Sequence, residues 1–245
     1  MDIARTRLLI AVISRMLAGC RTVAVGNSSP IPGAATLLAR AMGAGSMRVL
    51  MLGSLQNNSF TDGGRELFDC AAQGRIDAFF LSGGQIDGEA NLNLVGAGEY
   101  PRWQHRFPGS FGSAYLYYLI PRVILFREEH TARVLVPKVD FVSAPGTSPP
   151  EVYRQGGPAA LVTGRCVFDF DRAARRFRLA SLHPGETAET VRANTGFTYD
   201  APADVPATLP PSEAELAVLN GQVAAEIAET YPRFAAALFG RRSAA

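Results

Sequence analysis

Two pairs of amide or carboxylate side chains, each pair spaced two residues apart, stand in one short polar segment of this 245-residue chain. They are Gln85, Asp87, Asn91 and Asn93. Gly83 and Gly84 precede them, and glycine lets backbone N–H groups approach a ligand closely. Asn and Asp are also common in turns, where they hydrogen-bond to their own backbone. The segment therefore indicates either a ligand-binding loop or a self-stabilised turn.

Two other loops combine glycine with small polar residues. One spans residues 26–33 and contains Asn27 and Ser28, so its N–H groups could face an anion at the start of a helix. It has neither the Gly-Lys-Ser/Thr of a P-loop nor the G-x-G-x-x-G of a dinucleotide site, and a plain connection is the alternative. The other loop is Pro108-Gly-Ser-Phe-Gly112. Glycine loops at strand ends are how an open α/β sheet forms a ligand crevice.

Other reactive side chains are scattered along the chain. The three cysteines and three histidines are Cys20, Cys70, Cys166, His105, His130 and His183. Their spacing matches no metal motif, so we expect free thiols in a reducing compartment and no metal site. We expect Cys70 to lie on the core side of a helix, and His130 to lie in a solvated charged turn beside Glu128 and Glu129.

Charge and hydropathy argue against two further classes of protein. The 24 Lys and Arg nearly balance the 22 Asp and Glu, and without a basic stripe we expect no nucleic-acid partner. Residues 8–20 end like a lipoprotein signal, but Ser14 and Arg15 interrupt the apolar run. Helical spacing instead predicts an amphipathic core helix, and with it a cytoplasmic protein that has no membrane segment.

Strand and helix patterns alternate around these loops. Strands are predicted at residues 21–25, 47–52, 76–81, 120–126 and 132–136, and a hairpin is predicted from 160–170 and 176–182. Helices are predicted at 34–42 and at 62–72, the latter capped by Asp62. This order predicts a single α/β domain over residues 1–245, with an open, mostly parallel sheet flanked by helices and a short antiparallel addition.

The C-terminal part contains two distinct patterns. Residues 201–211 are rich in proline, and we expect them to be extended over the surface. Ser212 and Glu215 have the spacing of a capping box, which predicts a helix from about residue 212 to about residue 230.

A series of further motifs completes the pattern between about residues 20 and 220. In chain order the series is Val25-Gly26 with Pro30, Gly84-Gln-Ile-Asp87 with Asn91-Leu-Asn93, Pro108-Gly-Ser-Phe-Gly112, Pro137-Lys-Val-Asp-Phe-Val-Ser143 with Pro145-Gly146, Val167-Phe-Asp-Phe170, Ser181-Leu-His-Pro-Gly185, Asn194-Thr-Gly-Phe197 and Pro210-Pro-Ser-Glu-Ala-Glu-Leu216. Each motif is weak alone. In this order they resemble the B (β) subunit of class I coenzyme A-transferases, in particular the glutaconate-type branch.

The resemblance implies a CoA-transferase fold and a two-subunit enzyme. The partner would be an A subunit, in a heterodimer or heterotetramer, with the active site at the interface. The substrate would be an acyl-CoA thioester, with no permanently bound cofactor and no metal. Backbone amides of the glycine loops would stabilise an oxyanion and hold the pantetheine arm. The residues implied for this role are Asn27, Ser28, Gly84, Gln85, Gly109, Ser110 and Gly112.

The chain departs from the family pattern at the residue that carries the chemistry. In transferases that the sequence resembles, a glutamate at the end of the second strand forms the covalent intermediate, as carboxylate nucleophiles do elsewhere. Gly53 and Ser54 stand there instead, and no Glu or Asp occurs between residues 47 and 61. Ala90 and Phe111 also replace glycines of the family pattern, which we expect to narrow the pocket or alter its amide geometry.

Three functions remain open at this point. The family resemblance favours CoA transfer. The missing glutamate favours hydrolytic cleavage, since a related branch cleaves steroid-ring CoA thioesters with a glutamate of its A subunit. A non-catalytic, acyl-CoA-binding subunit is the third. Ser54 as a substitute nucleophile has no obvious base near it in sequence.

Overall fold

The computed structural model describes residues 1–43 and 46–240. The helices are, in chain order, α1 (Ile3–Met16), α2 (Pro30–Met42), α3 (Gly63–Ala72), α4 (Ser113–Leu119), α5 (Ala188–Ala193), α6 (Glu213–Val218), α7 (Ala224–Thr230) and α8 (Pro232–Phe239). A π-helical turn, Leu219–Val223, joins α6 to α7.

The strands vary from two to seven residues in length. In chain order they are β1 (Thr22–Val25), β2 (Arg48–Met51), β3 (Ala78–Leu81), β4 (Gln85–Ile86), β5 (Leu92–Asn93), β6 (Gly96–Glu99), β7 (Arg102–Arg106), β8 (Arg122–Arg127), β9 (Pro158–Thr163), β10 (Cys166–Asp171) and β11 (Arg176–Leu182). The chain divides into two compact units: the first unit is Met1–Phe80 together with the segment from Leu209 on, and the second unit is Leu81–Thr208.

Three parallel strands form the sheet of the first unit, in the order β2, β1, β3. β1 pairs along its whole length with β2, and Val23 pairs with Ala78 of β3. Parallel strands end at the same edge of a sheet. The N–H of Leu52 accordingly donates to the carbonyl of Val25 at 3.0 Å, so the loops that follow β1 and β2 begin side by side.

The first helix is formed as predicted but is more deeply buried than an amphipathic pattern implies. Asp2 caps α1 by accepting a hydrogen bond from the N–H of Arg5 at 3.0 Å. All residues from Leu8 to Ser14 are buried, whereas Met16 is only half-buried. The middle of α1, residues 8–14, is therefore covered on every side.

The C-terminal helices belong to the first unit. The capping box predicted at Ser212 and Glu215 is formed, with both reciprocal hydrogen bonds present. Glu215 also forms an ion pair with Arg15 of α1 at 2.6 Å. α7 packs on α2, where a Cβ at Gly33 would lie 3.3 Å from Ile227. These contacts pack α6 and α7 against α1 and α2 within the first unit.

The sheet of the second unit combines parallel and antiparallel pairing. β8 pairs with β9 in parallel, and β9, β10 and β11 follow one another as antiparallel neighbours. Phe168 and Phe177 are fully buried at its centre and contact Phe197, whose ring stacks on Phe177 at 5.4 Å. The fold is therefore the predicted α/β type, with mostly parallel central strands, flanking helices and a short antiparallel addition.

Two of the predicted strands were wrong in detail. Residues 160–170 form two antiparallel strands, because β9 ends at Thr163 and β10 begins at Cys166. A Cβ at Gly164 between them would meet the carbonyl oxygen of Glu128 at 2.5 Å, so this turn has room only for glycine. Residues 132–136 form a turn closed by the N–H of Val134 on the carbonyl of Thr131, and only Leu135 makes a β-bridge. Short apolar runs do not distinguish these cases.

Within residues 1–43 and 46–240, no helix is long and apolar enough to cross a membrane. In the same ranges, no three His, Cys, Asp or Glu side chains are grouped in a way that could hold a metal ion.

Candidate functional site

The first unit brings the loop after β1 and the loop after β2 into contact. A Cβ at Gly53 would lie 3.4 Å from Oδ1 of Asn27, an ordinary contact distance. Gly53 has φ +88, and Ser28 has φ 58, so both loops use the left-handed conformation at their exposed ends. Asn27 Oδ1 accepts from the Ser28 N–H at 2.9 Å. A turn of this type leaves small polar groups facing solvent.

Ser54 stands where the family pattern predicts a carboxylate nucleophile, and its side chain points inward. It is 4% exposed, and its Oγ donates to Oε2 of Glu229 in α7 at 2.7 Å. The same Oγ accepts from the N–H groups of Gln56 and Asn57 at 3.2 and 2.9 Å. The hydroxyl is buried and fully engaged in shaping its own loop, so the geometry does not favour Ser54 as a nucleophile.

Glu229 closes this arrangement from the C-terminal helices. Its Oε1 accepts from the N–H of Leu55 at 2.9 Å, and the Thr230 hydroxyl donates to its Oε2 at 2.8 Å. Burial opposes ionisation, but the hydrogen bonds from Leu55, Ser54 and Thr230 outweigh it and hold the pKa of Glu229 below its usual value. A carboxylate with a lowered pKa and several donors is a poor base and a poor nucleophile.

A second set of contacts joins α7 to the loop after β2, one helical turn before Glu229. Arg40 of α2 forms an ion pair with Glu226 and donates from Nη1 to Oδ1 of Asn57 at 2.7 Å. We call Arg40, Ser54, Asn57, Glu226 and Glu229 the β2 clamp. It holds the loop of residues 53–57 in one conformation, and that loop presents the side chain of Leu55, which is 90% exposed.

The nearest carboxylates along the chain serve the start of α3. Glu66 accepts from the N–H groups of Thr61 and Asp62 at 2.6 and 3.2 Å, and these bonds lower its pKa. Asp62 occupies the N-cap position as predicted, but its side chain makes no capping hydrogen bond and instead pairs with Arg65 at 2.9 Å. Cys70 on the same helix is half-buried, so its predicted core position was wrong.

Gln85 and Asn93 belong to a buried network that also contains Asp140. Asn93 is fully buried and donates to Oε1 of Gln85 at 2.7 Å and to the carbonyl of Gly96 at 2.7 Å. Gln85 donates from Nε2 to Oδ2 of Asp140 at 3.0 Å, and the Asp140 N–H donates back to Oε1 at 3.0 Å. We call these three side chains the amide network. Its members fix the strands β4 and β5 and the adjoining turns, which supports a positioning role for Gln85.

Asp87 and Asn91 act on the neighbouring turn. Oδ1 of Asp87 accepts from the N–H groups of Glu89 and Asn91 at 3.1 and 3.0 Å. Asn91 in turn accepts from the N–H of Gly146 at 3.0 Å. Of the two interpretations of this segment, the self-stabilised turn therefore matches these two side chains. Ala90, between them, has φ 61, so the backbone keeps the left-handed form that a glycine favours.

The second glycine of this segment is required by packing. A Cβ at Gly84 would meet the ring of Phe107 at 2.4 Å, so only glycine allows the loop that begins at Pro108 to approach this closely. The N–H of Gly84 donates to the carbonyl of Asn93 at 2.9 Å, and that of Gly109 to Leu94 at 3.0 Å. We number the glycine loops in chain order, with residues 26–33 as the first, 83–93 as the second and 108–112 as the third. The structure thus brings the second and third glycine loops together within the second unit.

The third loop is built from left-handed residues. Gly109 has φ +107 and Gly112, the N-cap of α4, has φ +67. Phe111 has φ 25 and is 73% exposed, so the chain keeps a glycine-like backbone at this position despite the aromatic side chain. The carbonyl of Ser110 accepts from the N–H of Ser113 at 2.7 Å. The amide geometry of this loop is therefore left-handed at the position where Phe111 replaces glycine.

Ser113 was not singled out in the sequence. Its hydroxyl is buried and has no hydrogen-bond partner among the described residues. Buried polar groups are nearly always paired in proteins, so an unpaired hydroxyl next to a glycine loop is a candidate ligand contact.

His130 was wrongly predicted to be solvated. It is 4% exposed, with Nδ1 2.8 Å from the hydroxyl of Thr163 and Nε2 2.9 Å from that of Thr195. Burial, helped by repulsion from Arg165, lowers its pKa from 6.5 to about 4. The neighbouring Glu129 is in the predicted charged turn, paired with Arg127 and Arg133. The sequence places His130 beside these charges, but β8 carries it inward.

A groove of about 630 Å³ opens beside the second glycine loop. The residues that line it include Asp87, Gly88, Asn91, Lys138 and Phe197. It combines an apolar wall with charged groups of both signs. Such a groove is able to accept an extended ligand with an apolar and a charged part.

A model of the family described as coenzyme A transferase matches residues 9–194 of this chain. The chain belongs to the coenzyme A transferase family. This confirms the family that the order of the motifs indicates.

Three relatives are named as subunits, two of CoA-transferases and one of a hydrolase. The chain is 29% identical over 218 residues to the B subunit of 3-oxoadipate CoA-transferase from Pseudomonas knackmussii, covering 86% of this chain and 80% of that protein. It is 33% identical over 128 residues to the B subunit of glutaconate CoA-transferase from Acidaminococcus fermentans, covering 49% and 47%. It is 33% identical over 160 residues to the IpdB subunit of the cholesterol ring-cleaving hydrolase from Rhodococcus jostii, covering 64% and 62%. The relatives of this chain therefore include both transferases and a hydrolase.

Two solved structures share the fold. The Rhodococcus jostii IpdAB structure superposes with a TM-score of 0.77 at 25% identity, covering 90% of this chain and 94% of that chain. The decarboxylase AibA/AibB superposes with a TM-score of 0.78 at 24% identity, covering 98% and 100%. These likenesses agree with the α/β fold described above.

Proposed function

We propose that this chain is the B subunit of a two-subunit enzyme that acts on an acyl-CoA thioester without forming a covalent adduct on this chain. The related IpdB subunit and the CoA-transferase B subunits support the substrate class and an A-type partner. Within this proposal, hydrolytic cleavage is the reaction that the geometry favours, with the base supplied by the partner.

One observation carries the choice of reaction. At the end of β2 the chain has Gly53, which bears no side chain, and Ser54, which is buried and bonded to Glu229. The carboxylate of Glu229 is occupied by its own hydrogen bonds. No group at this position is therefore free to attack a thioester, and a transferase cycle on this chain lacks its first step.

The glycine loops would hold the substrate. We assign Asn27 and Ser28 in the first loop to contact with the thioester or the pantetheine arm. We also assign Gly84 and Gln85 in the second loop, and Gly109, Ser110 and Gly112 in the third, to the amide geometry that binds the thioester. Backbone N–H groups in such loops stabilise the oxyanion of acyl transfer or hydrolysis when they are preorganised. The bonds described above support Gln85 as a residue that positions these amides and does not itself contact the substrate.

The proposal needs no permanently bound cofactor and no metal, because an acyl-CoA already carries an activated carbonyl. The acyl group is not specified by the residues described. Leu55 and Phe111, which are exposed apolar side chains on the β2 and third loops, favour an apolar acyl group or an apolar partner surface.

The test is turnover by the reconstituted enzyme. The full chain, co-expressed with its A-type partner, is incubated with acyl-CoAs, including ring-derived ones, in the presence and absence of an acceptor acid. Free acid or a ring-opened product without an acceptor supports the proposal. Acceptor-dependent CoA exchange, with no product in its absence, would instead assign a transferase.

A non-catalytic, acyl-CoA-binding role gives a third result. In that case the partner alone would turn over the same acyl-CoAs at the rate of the complex, and adding this chain would change only substrate affinity. A partner that is inactive without this chain excludes that role.

A further inference from the structure

A small pocket in the second unit is lined by three arginines. It has a volume of about 280 Å³, well above the roughly 30 Å³ that one water occupies, so a polyatomic ligand fits. Arg154, Arg172 and Arg175 supply its cationic side chains. Thr147 and Ser148 add hydroxyl groups to the same wall.

None of the three arginines forms an ion pair with a carboxylate in the described part of the chain. Arg154 donates to the carbonyls of Gly156 and Tyr117, at 3.0 and 3.1 Å. Arg172 donates to the carbonyl of Gly157 at 3.2 Å, and also to that of Pro121. Neutral carbonyls orient these guanidinium groups, and Arg154 also lies over the rings of Tyr117 and Tyr118, but no carboxylate of the described residues neutralises their charge.

Arg175 completes the set from the turn between β10 and β11. It donates to Oγ1 of Thr147 at 2.8 Å and to the carbonyl of Ser148 at 3.1 Å. Asp171 is an acidic residue of the same turn, but its Oδ1 accepts from the N–H groups of Ala173 and Ala174, both at 2.9 Å. The turn therefore uses its carboxylate for its own backbone and directs the arginine to the pocket.

Two of the cations are held close to each other. A Cβ at Gly157 would lie 3.7 Å from Nε of Arg154 and 3.8 Å from Cζ of Arg172, so both guanidinium groups flank that point. Burial is the main cause that lowers the pKa of Arg154, and repulsion from Arg172 adds to it. An anion between the two groups would relieve both effects.

We propose that this pocket binds a phosphate-bearing ligand, with Arg154, Arg172 and Arg175 on its oxygens and the Thr147 hydroxyl as an additional donor. Guanidinium groups match phosphate oxygens in a bidentate geometry, and three cations suit a polyanionic group such as a diphosphate. A set of three guanidinium groups repels cations, so the ligand is an anion.

Two kinds of molecule could supply the phosphate groups of this ligand. One is the nucleotide end of coenzyme A, which carries a diphosphate and a 3′-phosphate; this source rests on the proposed function. The pocket adjoins the second glycine loop, because a Cβ at Gly146 in its lining would lie only 2.2 Å from the carbonyl oxygen of Glu89. The other source is a separate phosphorylated small molecule or free pyrophosphate.

Calorimetric titration of the full chain at low salt tests the site, with inorganic pyrophosphate, adenosine 3′,5′-bisphosphate and CoA as ligands. The main variant is Arg175→Gly, because Arg175 has φ 56 and glycine keeps that turn without strain. Arg172→Gln is the second variant. Arg176→Gln is the matched control, since Arg176 is the next residue but pairs with Asp200 at 3.1 Å and does not line this pocket. Thermal unfolding checks that each variant is folded.

Loss of one charge-assisted contact is expected to weaken binding about tenfold in either variant, with the control unchanged. If pyrophosphate, the bisphosphate and CoA all weaken, the ligand is the nucleotide end of CoA. If pyrophosphate weakens while CoA does not, the site takes a separate phosphorylated ligand. Pyrophosphate that fails to bind, or binds the variants and the parent chain equally, would overturn the site. No turnover is measured, so the result is independent of the proposed reaction.

Discussion

The loop after β2 and the amide network after β3 are both held by side chains from distant parts of the chain, yet they differ in what they hold. The β2 clamp uses Glu229, which is 174 residues from Leu55, to fix a loop that lacks a reactive side chain. The amide network uses Asp140, 55 residues from Gln85, to fix strands and turns in which Ala90 and Phe111 keep a left-handed backbone although they replace glycines of the family pattern. The β2 loop keeps a fixed conformation but has no free nucleophile. The amide network fixes the backbone amides on which substrate binding is proposed to depend.

This difference separates two requirements that a transferase normally combines. A preorganised binding site needs its loops in one conformation. A covalent intermediate also needs a free nucleophile. Here the loops of both regions are held in one conformation. The β2 loop has no free nucleophile, because Ser54 and Glu229 are hydrogen-bonded to each other. Changes in the two regions should therefore have separable effects on stability, on pH dependence and on turnover.

The largest effect is expected from Asn93→Ala in the amide network. Asn93 is fully buried, and its removal takes a donor from the carbonyl of Gly96 and an acceptor from the N–H groups of Val95 and Gly96. Each stranded buried group costs about 1–3 kcal/mol, so the free energy of unfolding should fall by about 3 kcal/mol. Denaturant unfolding measures it. A loss below about 0.5 kcal/mol, the range of surface substitutions, would show that the network is not a stabilising unit.

The pH dependence of the free energy of unfolding should report on the buried His130 of the second unit. The folded pKa of His130 is lowered to about 4, so the unfolded chain takes up the proton first as the pH falls. Stability is then complete above about pH 6.5 and declines towards pH 4, by on the order of 3 kcal/mol. Unfolding at pH 7 and pH 4.5 checks this.

The matched variants are His130→Gln, which removes the titrating group, and His105→Gln, which alters an exposed histidine. The His130→Gln chain should lose most of the additional slope between the two pH values. An unchanged slope in that variant, with a reduced slope in the His105 control, would contradict the assignment.

Glu229→Ala tests the clamp with a smaller effect on stability. It removes the acceptor of Ser54 and Leu55, and the free energy of unfolding should fall by about 1–2 kcal/mol. A loosened β2 loop should also lower kcat/KM of the complex about tenfold, since misplacement of a binding loop costs orientation. Glu213→Gln, at an exposed position of α6, is the control. A loss of stability without any change in kcat/KM would show that the β2 loop is not part of the substrate site.

The smallest effect is expected where bulky residues are exchanged for glycine in the two loops. Phe111 has a left-handed backbone, so Phe111→Gly should relieve strain and leave stability within about 1 kcal/mol of the parent, on the stabilising side. Leu55 has no left-handed backbone, so Leu55→Gly should lower stability by about 0.5–1 kcal/mol. Thermal unfolding of the pair measures the difference in sign. Equal shifts would show that the backbone at Phe111 is not strained.

The sequence predicted most of the elements and the family, because apolar periodicity and the order of motifs are local properties. It marked Gln85 and Asn93 correctly as a group, but their partner Asp140 lies in a motif that gave no indication of contact with them. It also marked Ser54 as lacking a base nearby in sequence, whereas Glu229 reaches it through the packing of α7 on α2. Long-range side-chain contacts leave no periodic signal in a single sequence.

Tertiary contacts also place two polar side chains whose surroundings cannot be read from their neighbours in sequence. His130 stands among charged residues, and only the pairing of β8 with β9 places it against Thr163 in the interior. Ser113 looks like any serine after a glycine loop until its burial and lack of a partner are seen.

Intact mass of this chain during turnover tests the central claim most directly. The complex with its A-type partner is mixed with an acyl-CoA that it turns over, quenched in acid within the first turnovers, and both chains are weighed. We predict that this chain keeps its unmodified mass while product accumulates, since neither Ser54 nor Glu229 is free to form a bond. A CoA-sized or acyl-sized increase on this chain, mapped to either residue, would contradict the account.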